Sequence, residues 1–114
     1  MKKLMLLAAS VVLMSNAWAG GNASEGKAMV EKLGCVACHG ADFKSPIDPT
    51  YPKLAGQHQD YLEHALVAYR RGGGVANGRV NAIMNGQAKP LTDKDIQNIT
   101  TYISGLPGTL VLQK

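Results

Sequence analysis

Apolar residues follow two kinds of pattern along this chain, one continuous and one periodic. The continuous stretch comes first: after Lys2 and Lys3, a nearly unbroken apolar run extends from Leu4 to Met14. Further along, apolar positions recur at helical spacing. A first helix is predicted from Ser24 to Leu33, with Ser24 as its N-cap, Gly34 ending it, and Gly26, Met29, Val30 and Leu33 along one side. A second is predicted over Gln59 to Arg71, its inner face made by Leu62, Ala65, Leu66 and Tyr69, and stopped by Gly72-Gly73-Gly74. The third opens at Thr92 as cap, places Asp93 and Asp95 in the positive first turn, and repeats Ile96, Ile99, Ile103 and Leu106 on one face before Gly105 and Pro107. No segment alternates β-branched and polar residues between turn signals, so the pattern predicts an all-α fold. The intervening loops, Gly40 to Gly56 and Gly72 to Pro90, are long for so short a chain, which marks them as functional or disordered.

The initial apolar run is too short to cross a bilayer, which takes about 20 residues. With its basic start and the small residues of Ala17-Trp18-Ala19, it reads as a signal peptide over residues 1–19, cleaved after Ala19; an uncleaved anchor is the alternative. No cysteine follows it to accept a lipid. Residues 20–114 then form a single domain with no membrane span. Loss of Lys2 and Lys3 lowers the formal charge from +4 to +2. A balance this small, without a basic stripe, does not suit nucleic acid. The domain is also poor in large rings (Phe43 and four tyrosines) and holds thirteen glycines, so something besides side chains is expected to fill its centre.

The two cysteines, Cys35 and Cys38, stand too close for a disulfide to constrain much chain. With His39 they form C-x-x-C-H, the attachment signature of a c-type haem. One turn of chain sets both sulfurs beside the porphyrin vinyl groups, and the next residue points an imidazole at the iron. A thioredoxin-type pair would sit near a βαβ pattern, which is missing. A zinc site would need further ligands, for which only His58 and His64 remain. A pair of inert buried thiols would be odd in an exported chain. For the sixth iron position, Met29 lies on the first helix just before the motif. Met84, in the second loop, has enough chain to reach the other face of the haem and is the expected second axial ligand. Met84 as a gap-filling core residue, and His58 or His64 as ligand, are the alternatives.

The segments Gly26-Lys27, Cys35-Val36-Ala37-Cys38-His39-Gly40, Tyr51-Pro52-Lys53-Leu54-Ala55-Gly56-Gln57 and Met84 through Leu91-Thr92-Asp93-Lys94-Asp95-Ile96 to Tyr102-Ile103 together resemble the class I c-type cytochromes, in particular one half of their two-domain dihaem bacterial members. The resemblance implies three to four helices wrapped around one covalently attached haem, with first and last helices crossing at Gly26 and Tyr102 packing nearby. It implies that the Pro52 carbonyl holds the second nitrogen of His39, and that Tyr51, Leu54, Gln57 and Tyr61 line the haem pocket or reach the propionates. One departure is visible. The aromatic residue that many members carry before the first cysteine is replaced here by Val30 and Leu33, which leaves the helix crossing open.

Taken with the leader, these features lead to the expectation of a periplasmic one-electron carrier in a respiratory chain, docking transiently to donor and acceptor proteins. A His/Met-ligated iron has no open position, so no enzyme activity is expected. Its rivals are a haem-bearing subunit of a larger dehydrogenase or oxidase complex, and a five-coordinate haem sensor or peroxidase.

Overall fold

The computed structural model describes residues 20–109; the expected leader, residues 1–19, lies outside them. The described chain is helical without strands: α1 (Ala23–Lys32), α2 (Cys35–His39), α3 (Gln59–Arg71), α4 (Ala82–Ala88) and α5 (Asp93–Ser104). None of these is long and apolar enough to cross a membrane. Five helices exceed the three to four expected. The additional ones are the turn of the C-x-x-C-H motif itself and a short helix inside the glycine-rich second loop.

The boundaries follow from capping. Helix α1 starts one residue earlier than expected because Asn22, not Ser24, is its cap: the Asn22 side chain accepts from the Glu25 N–H at 3.0 Å. Asn is as good a cap as Ser, and here its own N–H also bonds to Asn98 on α5. Helix α3 matches its predicted span to the residue. Helix α5 opens with a capping box in which Thr92 Oγ1 accepts from Asp95 N–H and Asp95 Oδ2 accepts from Thr92 N–H. The Thr92 amide first, and then the Thr92 hydroxyl, hold the Asp95 carboxyl below its ordinary value.

Helices α1 and α5 pack together, and α3 packs on α5 and on α4. The α1–α5 crossing is made at Gly26. A Cβ there would collide with the Asn98 carbonyl and stand 3.0 Å from Tyr102 Cβ, so only glycine permits this approach. Asn98 is buried and fastens the same crossing. Its Oδ1 accepts from the Asn22 N–H at 2.8 Å, and its Nδ2 donates to Glu25 at 2.8 Å. The core comprises Val30, Phe43, Leu62, Leu91, Ile96, Ile99 and Ile103. The aromatic missing before the first cysteine has a counterpart from the other direction. Phe43, in the loop after His39, is wholly buried and meets Tyr102 edge-on at 6.3 Å and 84°.

Candidate haem site

The C-x-x-C-H turn forms where the chain has just left α1. Leu33 ends α1, and Gly34 adopts φ 73°, a left-handed conformation that lets α2 begin at once in a new direction. Cys35 and Cys38 form no disulfide and lie half-buried on the wall of a cavity of about 250 Å³. Burial pushes the Cys35 thiol up from its ordinary value, with Cys38 adding to the effect.

His39 lines the same cavity and is only 7% exposed. Its Nδ1 lies 2.9 Å from the Pro52 carbonyl oxygen. A carbonyl can only accept, so Nδ1 carries the proton and Nε2 keeps its lone pair for a metal. The ring is held on two sides, by Phe43 stacked at 6.3 Å and 16° and by Tyr51 tilted at 6.4 Å. The loop that carries Pro52 is stapled by its own backbone. Phe43 O accepts from Leu54 and Ala55 N–H at 2.8 and 3.0 Å, and Cys38 O accepts from Ile47 N–H at 3.1 Å. Asp42 accepts from the Lys44 and Ser45 amides, and Asp48 accepts from the amide and hydroxyl of Thr50. These bonds hold both carboxyls below the usual range, the Lys44 N–H leading at Asp42 and the Thr50 hydroxyl at Asp48.

Met84 belongs to the same cavity, brought there by α4. Two asparagines hold it. Asn81 caps the helix, its side chain accepting from Ile83 N–H at 3.1 Å and from Met84 N–H at 2.9 Å. Asn85 bonds in three directions: its Nδ2 donates to the carbonyls of Tyr69 at 2.7 Å and Arg79 at 2.8 Å, and its Oδ1 accepts from Asn81 N–H at 2.8 Å. One side chain thereby joins the end of α3, the loop and α4. Asn81 and Asn85 were not among the expected site residues. The signal that could have found Asn81 is an Asn directly before a short apolar segment.

The rest of the lining is mostly apolar, with Thr50, Gln87 and Thr100 as its polar members. All four residues of the predicted inner face of α3, Leu62, Ala65, Leu66 and Tyr69, are on the wall, with Ile99 and Ile103 from α5. Tyr51, Pro52 and Leu54 line it as expected. Gln57 and Tyr61 do not. Gln57 turns back to accept from His58 N–H at 2.9 Å. Tyr61 is 48% exposed and lies beside Arg79. Its position, one residue before Leu62 and so about 100° round the helix, carries it off the inner face. Met29 packs on the core away from the cavity lining, and His58 and His64 are exposed.

The donor set suits a c-type haem: an apolar cavity, two adjacent thiols on its wall, an imidazole with a free Nε2, and a thioether. The Cytochrome c family model matches residues 23–107. The chain belongs to the cytochrome c family. It is 37% identical over 112 residues to cytochrome c4 from Stutzerimonas stutzeri, covering 93% of this chain and 50% of that one. It is 42% identical over 85 residues to cytochrome c-554(548) from Halomonas halodenitrificans, covering 74% of this chain and 95% of the relative. The crystal structure of reduced recombinant cytochrome c4 from Pseudomonas stutzeri superposes with a TM-score of 0.65 at 35% identity, covering 78% of this chain and 47% of that one. The chain thus spans about half the length of the cytochrome c4 relatives it matches, and nearly all of the shorter relative. As a member of the cytochrome c family with one C-x-x-C-H segment, it carries one covalently attached haem c.

Proposed function

We propose that this chain is a periplasmic one-electron carrier, its haem joined through Cys35 and Cys38, with His39 and Met84 as axial ligands to the iron. The observation that carries this reading is that Met84 and His39 face one apolar cavity whose wall also holds both cysteines. When bound, the haem supplies a one-electron couple that needs no open coordination site.

The protein residues set the terms of that couple. Pro52 fixes the His39 tautomer and ring angle through a backbone carbonyl. Asn81 accepts from the Met84 N–H, and Asn85 ties the Asn81 backbone to the carbonyls of Tyr69 and Arg79, so the thioether is presented without a large search. Leu62, Leu66, Ile99 and Ile103 exclude water, and the low dielectric disfavours the additional charge of the oxidised state. Together with thioether ligation, this favours the reduced state. The side chains that a sensor or peroxidase would use for acid–base work, His58 and His64, are exposed and outside the cavity lining, which favours a carrier. The leader sequence supports export to the periplasm, where donor and acceptor proteins would dock weakly and leave again.

The test is the visible spectrum of the ferric protein, produced with haem-attachment machinery, before and after cyanide. The weak red band of sulfur–iron ligation, with slow cyanide uptake, is the expected result, and Met84→Ala should abolish that band. A high-spin spectrum that binds cyanide at once would overturn the carrier reading.

A further inference from the structure

Charge is segregated along this chain in a way that its small net value conceals. All eight carboxylate side chains lie outside the stretch from His64 to Thr92, and that stretch contains Arg70, Arg71, Arg79 and Lys89. Arg70 is neutralised by Asp93 in the one ion pair among the described residues. Arg71, Arg79 and Lys89 have no such partner there. Arg79 is steadied by aromatic rings, with its guanidinium 5.6 Å from the Tyr61 ring centroid and 5.5 Å from that of Tyr69. Tyr69 lines the haem cavity, so this stack runs from the cavity wall to the surface.

The same part of the molecule exposes most of its large apolar side chains. Tyr61, Val75, Val80 and Ile83 are 48%, 56%, 81% and 52% exposed, and only Ile47 joins them from elsewhere among the described residues. Val80 packs beside Gly73, and Val75 lies against Gly78. An open groove of about 490 Å³ runs between Tyr61, Arg71, Asn77 and Arg79. Ile83 belongs both to this surface and to the lining of the haem cavity.

We infer that the face made by α3 from Tyr61 to Arg71, the loop 72–81 and the start of α4 is the docking surface for redox partners, and that it takes an acidic redox protein whose carboxylates surround a small apolar patch. The inference rests on the carrier reading and specifies its partner. Unpaired cations beside exposed apolar groups suit rapid, steered encounter: charge sets the approach, and a few desolvated side chains set the lifetime. A second copy of this chain is a poor occupant, because it would place Arg71 and Arg79 against their own like charges. The lysines of α1 and the first loop are a weaker choice, since Lys27, Lys32 and Lys44 share their segments with Glu25, Glu31 and Asp42.

The probe is a reduced acidic flavodoxin mixed with the ferric holoprotein in a stopped-flow instrument over a range of ionic strength. One electron leaves the anionic flavin hydroquinone, which becomes the neutral semiquinone, and reduces ferric haem to ferrous, with no proton transferred. The wild-type rate should fall as salt rises. At low salt Arg71→Glu and Val80→Asp should each slow it about tenfold. Lys27→Glu, with the same charge change as Arg71→Glu but on α1, should slow it less than about twofold. Amide chemical shifts of the ferric protein on adding oxidised flavodoxin should change mainly between residues 61 and 83, a binding readout that needs no electron transfer. Equal slowing by Lys27→Glu, a rate indifferent to salt, or shifts centred on Ile47 would each overturn the inference. So would a wild-type dimer in sedimentation that Val80→Asp converts to monomer. Failure of the carrier reading is separate, because it shows in the cyanide test while the shift map still reports where flavodoxin binds.

Discussion

The two walls that present His39 and Met84 are built by different means. On the His39 side the ring is buried between Phe43 and Tyr51 and oriented by a backbone carbonyl. Its loop is closed by backbone bonds to Phe43 and Cys38. The α1–α5 crossing is close enough at Gly26 that only glycine fits there. On the Met84 side a seven-residue helix is held by side-chain bonds from Asn81 and Asn85, amid exposed apolar groups and unpaired cations. Backbone-locked, buried ligands are lost only when the domain unfolds. A ligand on a short helix fastened by two side chains can open locally. The difference therefore predicts that the methionine side is the one that opens first, and it is also the side proposed to meet partners.

The largest effect expected is common to both walls. Cys35→Ala/Cys38→Ala should leave a chain without attached haem that lacks a cooperative thermal transition, because the cavity lined from both sides would have nothing to fill it. A sharp calorimetric transition in that variant would show that the two walls hold together unaided. Next, Gly26→Val drives a side chain into the Asn98 carbonyl and should cost about 3 kcal/mol or more in denaturant unfolding. In that variant both ligands should be lost in one transition, as befits the buried side.

Asn85→Ala is the direct test of the asymmetry. It leaves the carbonyls of Tyr69 and Arg79 without a side-chain donor. A local cost of about 1.4 kcal/mol corresponds to roughly tenfold faster cyanide entry. The attached haem and the His39 environment, followed by its ring proton shifts, should be unchanged. Asn85→Asp keeps the acceptor for Asn81 N–H but loses both donors, and should fall close to Ala. If either variant lowers the unfolding midpoint without changing the red band or cyanide entry, Asn85 is merely structural. Pro52→Ala should do far less, under about 1 kcal/mol, since the carbonyl that His39 uses belongs to the backbone and survives the change.

The smallest effect is in acid. Asp42, Asp48 and Asp95 each have a carboxyl held below the ordinary value of 3.8 by hydrogen bonds to the folded chain. A group whose folded value is depressed contributes stability that is complete above its unfolded value and is lost as pH falls through the folded one. The first loop and the start of α5 should therefore loosen slightly below about pH 4. The stretch from His64 to Thr92 has no carboxylate of its own to protonate. Carboxyl carbon shifts followed by NMR from pH 5 to pH 2 would show titration midpoints below those of free Asp.

What could be read without a structure was whatever local chemistry requires to be contiguous. Haem attachment needs two thiols and an imidazole within one turn, so Cys35, Cys38 and His39 are visible as a string. Helix α3 shows its full span, because an amphipathic face repeats in register and a glycine triplet interrupts it. Helix α4 has too few residues to establish a period, and its apolar side chains divide between cavity and surface, so it was hidden in the second loop. Tyr61 and Gln57 were given a pocket-lining or propionate role by resemblance alone, and local turns of the chain place Gln57 at the His58 amide and leave Tyr61 half exposed, both outside the cavity lining.

The sequence by itself determined the attachment chemistry, the all-helical class and the unequal placement of charge, since each is written in neighbouring residues or simple periodicity. Tertiary structure decided how His39 and Met84 are held. Phe43 reaches Tyr102, Asn98 reaches Asn22, and Asn85 reaches Tyr69 across long intervals of chain. Such pairings depend on where folded segments meet, which no local spacing encodes.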